Sequence, residues 1–210
     1  MPEFDAILFD FDGVLVDSEP VHYACWAEVL APVGVTVDWE FFRRHCIGVD
    51  DREVLRMIAA RSDPPRKWEE LWALYPAKKR LFRARMAQLP PFDHSLDEFL
   101  SGLHGLYKLA VVSSSSTTEI APILVAGGIR QHFDTLVGGE EVTHHKPDPE
   151  PYLLAAQRLG VRAALVVEDS EPGMASGRAA GFEVLAVKGP ADVQERVLGR
   201  LSRTSSVNTV

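Results

Sequence analysis

The sequence predicts an α/β fold, a doubly wound parallel sheet with a helical insert after its first strand. Three observations carry that reading. Short apolar runs rich in Val, Ile and Leu recur along the chain, helical patterns separate the later ones, and a long stretch with helical signals alone follows the first.

In chain order, AILF (6–9) is the first buried strand, and about a hundred residues intervene before LAVV (109–112). Helix starts are readable in the gap. Pro20 follows Ser18 and Glu19, Asp50 and Asp51 precede REVLRMIAAR, and Ser95 with Glu98 predicts a capping box for a helix ending near Gly105. These signals place the helical insert at 16–88 and the core domain at 1–15 and 89–200, with turn-like PPFDH marking the return. The core then alternates. The helical pattern TTEIAPILVAGG leads to strand TLVG (135–138), PEPYLLAAQRLG to strand ALVVE (164–168), and EPGMASGRAAG to strand EVLAV (183–187). The last stretch, LSRTSSVNTV (201–210), is polar and aperiodic and reads as a frayed tail.

Composition limits function. With 210 residues, 46% hydrophobic and 25% charged, the chain is expected to be a soluble globular protein with one sizeable core and a smaller second domain. A formal charge of -8 argues against nucleic acid and anionic membrane as partners, so an anionic substrate must be met by local positive charge. Cys25 and Cys46 lie in separate segments without C-x-x-C spacing, which predicts free thiols. No apolar stretch approaches a membrane span, and MPEFDAILFDFDG carries acids where a signal peptide carries bases. A cytoplasmic monomer or weak homo-oligomer is expected.

Asp10 and Asp12 stand directly behind the first strand with one residue between them. Ligands of open parallel sheets bind at the carboxyl ends of strands, and side chains two apart on extended chain point the same way, so the two carboxylates converge. Their repulsion calls for a cation. Mg2+, which prefers carboxylate and carbonyl oxygens, is the expected cofactor. Other strand ends add to the same pocket. LAVV runs into SSSSTT (113–118), hydroxyls and amides suited to an anion; ALVV runs into Glu168 and Asp169; and Lys146 stands before Pro147 in a short turn. A carboxylate nucleophile, hydroxyls, a lysine and metal-binding acids are the equipment of phosphoryl transfer.

The chain resembles the haloacid dehalogenase superfamily of phosphohydrolases, in its beta-phosphoglucomutase and sugar-phosphatase-like branch. Four motifs carry the resemblance in order: DFDGVLVDSE (10–19), VVSSSS (111–116), KPDPEPY (146–152) and VVEDSEPGMASGRAAG (166–181). The resemblance implies a Rossmann-like core with the insert at 16–88 as a helical cap domain. It also implies that Asp10 is the nucleophile forming an aspartyl phosphate, and that Asp12 is the general acid that protonates the leaving alkoxide and then activates water. By the same resemblance the Asp10 carboxylate, the Asp12 main-chain carbonyl and Asp169 hold the metal, with Glu168 bound directly or through water. Ser113 and the Ser114 N–H hold the transferring oxygens, and Lys146 neutralises charge beside the nucleophile. A halide leaves without a proton, so Asp12 argues against dehalogenation.

Substrate choice falls to the cap. His22, in DSEPVHY (17–23), matches a cap histidine of the branch, and Arg80, in AKKRLFRARM (77–86), aligns with a cap lysine. Arg52 falls one place beyond the branch's substrate-phosphate arginine, a departure that weakens the mutase assignment. Trp26, Trp39, Trp68 and Trp72 read as cap core. His144 and His145 are adjacent, so their side chains diverge and do not read as a metal pair. The leading expectation is a Mg2+-dependent phosphatase acting on a small phosphorylated metabolite, with a sugar phosphate foremost. A beta-phosphoglucomutase and a non-catalytic receiver-like phospho-switch are the alternatives, the latter disfavoured by the large insert and the second acid.

Overall fold

The computed structural model describes residues 3–47, 49, 51–88, 90 and 92–205. Strand β1 (Ala6–Phe9) is followed by helices α1 (Glu19–Leu30), α2 (Trp39–His45), α3 (Asp51–Arg61), α4 (Trp68–Trp72) and α5 (Tyr75–Gln88). Next come α6 (Leu96–Leu103), β2 (Lys108–Val112), α7 (Thr117–Ala126) and β3 (Thr135–Val137). The chain continues with α8 (Glu150–Leu159), β4 (Ala164–Glu168), α9 (Glu171–Ala179), β5 (Glu183–Ala186) and α10 (Pro190–Ser205).

All neighbouring strands pair in parallel, in the order β3-β2-β1-β4-β5. β1 and β4 are buried along their whole length, and β2 is buried apart from Lys108, because helices cover both faces of the sheet. Alternation along β1 divides its side chains between the two layers. Ala6 and Leu8 join Val112, Val166 and the α8 residues Tyr152 and Ala155 in one cluster. Phe9 faces the opposite layer, where the rings of Phe99 and Phe133 meet it edge-on at 6.5 and 6.3 Å. Strand order reverses at β1, so the crevice at its carboxyl end is the ligand position of an open α/β sheet.

Two compact units are present, one of Met1–Asp17 with Leu89–Val210 and one of Ser18–Gln88. The first boundary falls two residues later than the sequence reading put it. A tight turn explains the shift: Gly13 N–H donates to Val16 O at 2.8 Å and an isolated bridge pairs Asp12 with Val16, which folds this segment back on the sheet unit. In the helical unit α1 packs along α5 and α3 along α4, around Trp26, Leu30, Phe42, Leu55 and Leu71. Trp26 is fully enclosed there, whereas Trp39 stands at the rim, 37% exposed, against Tyr23 and Phe42. Cys25 and Cys46 are buried free thiols of this unit.

Two local expectations need correction. The capping box at Ser95 does not form: Asp93 Oδ1 accepts from both the N–H and the hydroxyl of Ser95, and that hydroxyl also reaches Gln194, so an aspartate turn starts α6. Helix α10 extends through 201–205 of the stretch read as a frayed tail, and 206–210 lie outside the described residues. No described helix is long and apolar enough to cross a membrane.

Candidate active site

The Asp10 N–H donates to Val167 O at 3.0 Å, carrying the ladder between β1 and β4 one residue past the strand. This pins the Asp10 main chain where its side chain, in a residue 8% exposed, meets the end of β4. The turn that follows requires glycine at position 13. Its φ is +77°, and a Cβ there would stand 2.1 Å from Asp169 Oδ2.

Glu168 closes β4 with no solvent exposure. Oε1 accepts from Lys146 Nζ at 2.7 Å and from the Tyr152 hydroxyl at 2.9 Å. Oε2 accepts from the Asp169 N–H (3.1 Å), the Ser170 N–H (3.1 Å) and the Ser170 hydroxyl (3.0 Å). Ser170 also caps α9 by accepting from the Gly173 N–H, so the start of that helix and the buried carboxylate are fixed together. Gly173 leaves room for it: a Cβ there would lie 1.7 Å from Glu168 Oε1.

Lys146 enters from the loop before α8. Its ammonium uses three donors, to Asp10 Oδ1 at 2.6 Å, Glu168 Oε1 at 2.7 Å and Val112 O at 3.0 Å, which ties the ends of β1, β2 and β4 to one charge. Burial works against that charge, but Asp10 and Glu168 outweigh it and hold the ammonium above its ordinary range. Asp10 itself is pushed up to about 8 by burial, with Lys146 opposing and Glu168 adding to the rise. Asp169 is pushed up to about 6, by burial and then by Glu168. One lysine is too little positive charge for these acids.

Carboxylate oxygens of Asp10, Glu168 and Asp169 all lie within 4.8 Å of one another. An all-oxygen donor set carrying excess negative charge fits a hard divalent cation. The loop after β2 completes this end of the sheet. Ser113 is buried and its Oγ accepts from the Ser115 N–H at 3.0 Å, which leaves the Ser113 hydroxyl proton for another acceptor. The Ser115 hydroxyl points at Asp12 Oδ2, 3.4 Å away. Glu140, from the loop after β3, accepts from the N–H and hydroxyl of Thr117 at the start of α7. With the Ser115 and Thr117 amides engaged, the Ser114 and Ser116 N–H groups of the loop stand outside these bonds.

The sequence model of the haloacid dehalogenase-like hydrolases matches residues 7–187. The chain belongs to that family. Its five parallel strands in the order 3-2-1-4-5, with a helical insert after β1, form the fold of the haloacid dehalogenase-like hydrolases. It is 30% identical over 188 residues to fructose-1-phosphate phosphatase YqaB of Escherichia coli, covering 88% of this chain and 97% of that one. A phosphorylated carbohydrates phosphatase of Thermotoga maritima is 32% identical over 182 residues, covering 85% and 82% respectively. A solved subfamily IA, variant 1 hydrolase from Geobacter sulfurreducens aligns with a TM-score of 0.78 at 27% identity, over 95% of this chain and 97% of that chain.

Within this hydrolase the sheet unit gathers Asp10, Lys146, Glu168 and Asp169, with Asp12, Ser113 and Ser114 on the adjoining loops. The residues read as substrate contacts, His22, Arg52 and Arg80, lie in the helical unit. His22 on α1 stacks on Phe82 at 4.1 Å, and its Nδ1 is 2.8 Å from Lys78 Nζ. Lys78, 2% exposed, also donates to both oxygens of Asp51, while the Trp26 indole N–H donates to Asp51 Oδ1. The buried cation of α5 is thus Lys78, and Arg80, the residue aligned with the cap lysine, is exposed. A buried lysine so close to three arginines in sequence gave no sign of its burial. Arg52 lies over the Trp72 ring at 5.1 Å.

Sequence reasoning missed Tyr152 and Gly173 as parts of the site, and took Ser115 only within the SSSSTT run. Ser170 followed by Pro172 was a readable helix start, but Tyr152 sits in an amphipathic stretch where core packing is the ordinary expectation. A second group, His144, Asp148 and Glu150, also has ligand atoms within 4.8 Å of one another. Glu150 accepts there from the N–H groups of Thr143 and His144 and from His144 Nδ1, which stitches the turn before α8.

Proposed function

We propose that this chain is a Mg2+-dependent phosphatase that hydrolyses a small phosphorylated metabolite, a sugar phosphate, through an aspartyl-phosphate intermediate. One observation carries the reading. Lys146 holds Asp10 beside Glu168 and Asp169 at the switch point of the sheet, so a carboxylate with a fixed cation next to it faces a position suited to a metal.

Asp10 attacks phosphorus, and the bond from phosphorus to the sugar oxygen breaks as Asp12 delivers a proton to the departing alkoxide. Asp12, then ionised, takes a proton from water, which cleaves the aspartyl phosphate and restores Asp10. The Ser113 hydroxyl, the Ser114 N–H and the Lys146 ammonium hold the transferring oxygens, supplying fixed charge complementarity where negative charge is greatest. Asp10, Asp169 and the Asp12 carbonyl would hold Mg2+, with Glu168 adjacent. The ion when bound supplies further neutralisation of the phosphoryl group. The names of the Escherichia coli and Thermotoga maritima relatives, phosphatases of fructose 1-phosphate and of phosphorylated carbohydrates, support the sugar-phosphate class.

The test is a panel of phosphorylated metabolites assayed with and without Mg2+ for released phosphate and for isomerised product. Mg2+-dependent phosphate release from sugar phosphates is expected. Fast isomerisation with negligible release would replace the hydrolase reading with a mutase.

A further inference from the structure

We infer that Tyr152 is a positioning residue, whose hydroxyl holds the Glu168 carboxylate against Lys146 and so keeps that ammonium on Asp10. The consequence for catalysis rests on the proposed phosphoryl-transfer reading; the geometry stands without it.

Tyr152 has no solvent exposure, and its hydroxyl donates to Glu168 Oε1 at 2.9 Å, the oxygen that also takes Lys146 Nζ at 2.7 Å. The other oxygen of Glu168 is held by the amides of Asp169 and Ser170 and the Ser170 hydroxyl. Five donors on one enclosed carboxylate fix both its rotamer and its plane. The hydroxyl and the ammonium share Oε1, so the hydroxyl helps direct that oxygen toward Lys146. Burial, then the charges of Glu168 and Asp10, push the Tyr152 phenol well above its ordinary range, so it stays a donor.

Lys146 Nζ also lies over the Tyr152 ring, 5.0 Å from its centroid. Packing and the cation–ring contact belong to the ring, and a phenylalanine keeps both. Only the hydroxyl reaches Glu168. Without it Oε1 loses one of its two donors, the carboxylate gains freedom to turn, and Lys146 loses the fixed partner that sets its distance to Asp10. Groups that orient a catalytic cation or metal ligand change activity by about 10- to 100-fold when removed.

The experiment compares the full-length chain with Tyr152→Phe, Glu168→Gln and the double variant, all first shown to be folded by circular dichroism. The side-chain ammonium signal of Lys146 is read by 1H–15N correlation and assigned by its loss in Lys146→Met. Hydrogen exchange of that ammonium should be several-fold faster in Tyr152→Phe than in the wild type. Sugar-phosphate turnover should fall about 10-fold in Tyr152→Phe, with no further loss when the change is made in Glu168→Gln. Unchanged ammonium exchange overturns the inference, as does an equal fold-loss in both backgrounds, which would make Tyr152 act independently of Glu168. A wild type that hydrolyses no phosphomonoester, yet shows the faster exchange on losing the hydroxyl, would end the phosphatase reading and leave this inference standing.

Discussion

Lys146 Nζ lies 2.6 Å from Asp10 Oδ1, across 136 residues of chain. Both side chains are nearly enclosed, at 6% and 11% exposure, so neither can turn to water if the other is removed. Lys146 also serves the fully buried Glu168, and taking the partner from a buried ionic group costs about 3 to 5 kcal/mol. Lys146→Met is therefore expected to lower both stability and turnover, the latter by about a thousandfold. Denaturant unfolding and steady-state kinetics check this, and a Lys146→Met protein with turnover near wild type would remove the lysine from the chemistry.

Asp10→Asn should abolish turnover and covalent phosphate incorporation while the fold persists. A pH signature goes with it. Because the folded chain raises Asp10 from 3.8 to about 8, it keeps a proton that the unfolded chain gives up. Asp10 therefore favours the fold fully at about pH 4 and below, and loses that contribution as pH climbs to about 8. In chelator, the melting temperature of Asp10→Asn minus that of the wild type should grow by several degrees between about pH 5 and about pH 8, and Mg2+ should shrink the gap. A difference that stays flat over this range would contradict the assigned electrostatics.

If Asp12 protonates the leaving group, Asp12→Asn will be selective. Sugar phosphates depart as poor leaving groups and should lose about a hundredfold or more in kcat/KM, whereas an activated aryl phosphate should lose much less. Comparable losses on the two substrates would leave Asp12 without that role.

Gly173→Ala puts a methyl group 1.7 Å from Glu168 Oε1, where only movement of the carboxylate or of α9 can relieve the clash. Overpacking of this kind costs about 1 to 3 kcal/mol, and here it also displaces the partner of Lys146. The variant should melt lower and turn over more slowly. Gly102→Ala, where an added Cβ meets nothing within 4 Å, is the control and should leave turnover unchanged.

Much of this was legible from residue order. All five strands were readable from β-branched apolar runs, and the insert from the absence of any such run between AILF and LAVV. Asp10, Asp12, Lys146, Glu168 and Asp169 could be picked out because each stands at or just past the end of a strand, or in a loop at that end of the sheet. Tyr152 could not, since its hydroxyl matters only through a carboxylate 16 residues away that folding brings to it. Lys78 was hidden among neighbouring cations, because which face of α5 turns inward depends on His22 and Asp51. Ser95 misled for a related reason: Asp93, two residues earlier, competes for the same amide and wins.

Ala6 pairs with Lys108 on one side and with Ala164 on the other. The strand synthesised first is therefore the one whose neighbours are synthesised late. While the ribosome is still producing the helical insert, AILF has no edge to join, and its second partner, β4, follows later still. Contacts of such long sequence separation make collapse slow and leave an apolar segment exposed to wrong partners. Efficient production of this enzyme should accordingly depend on low temperature or on a chaperone that shelters the nascent AILF segment.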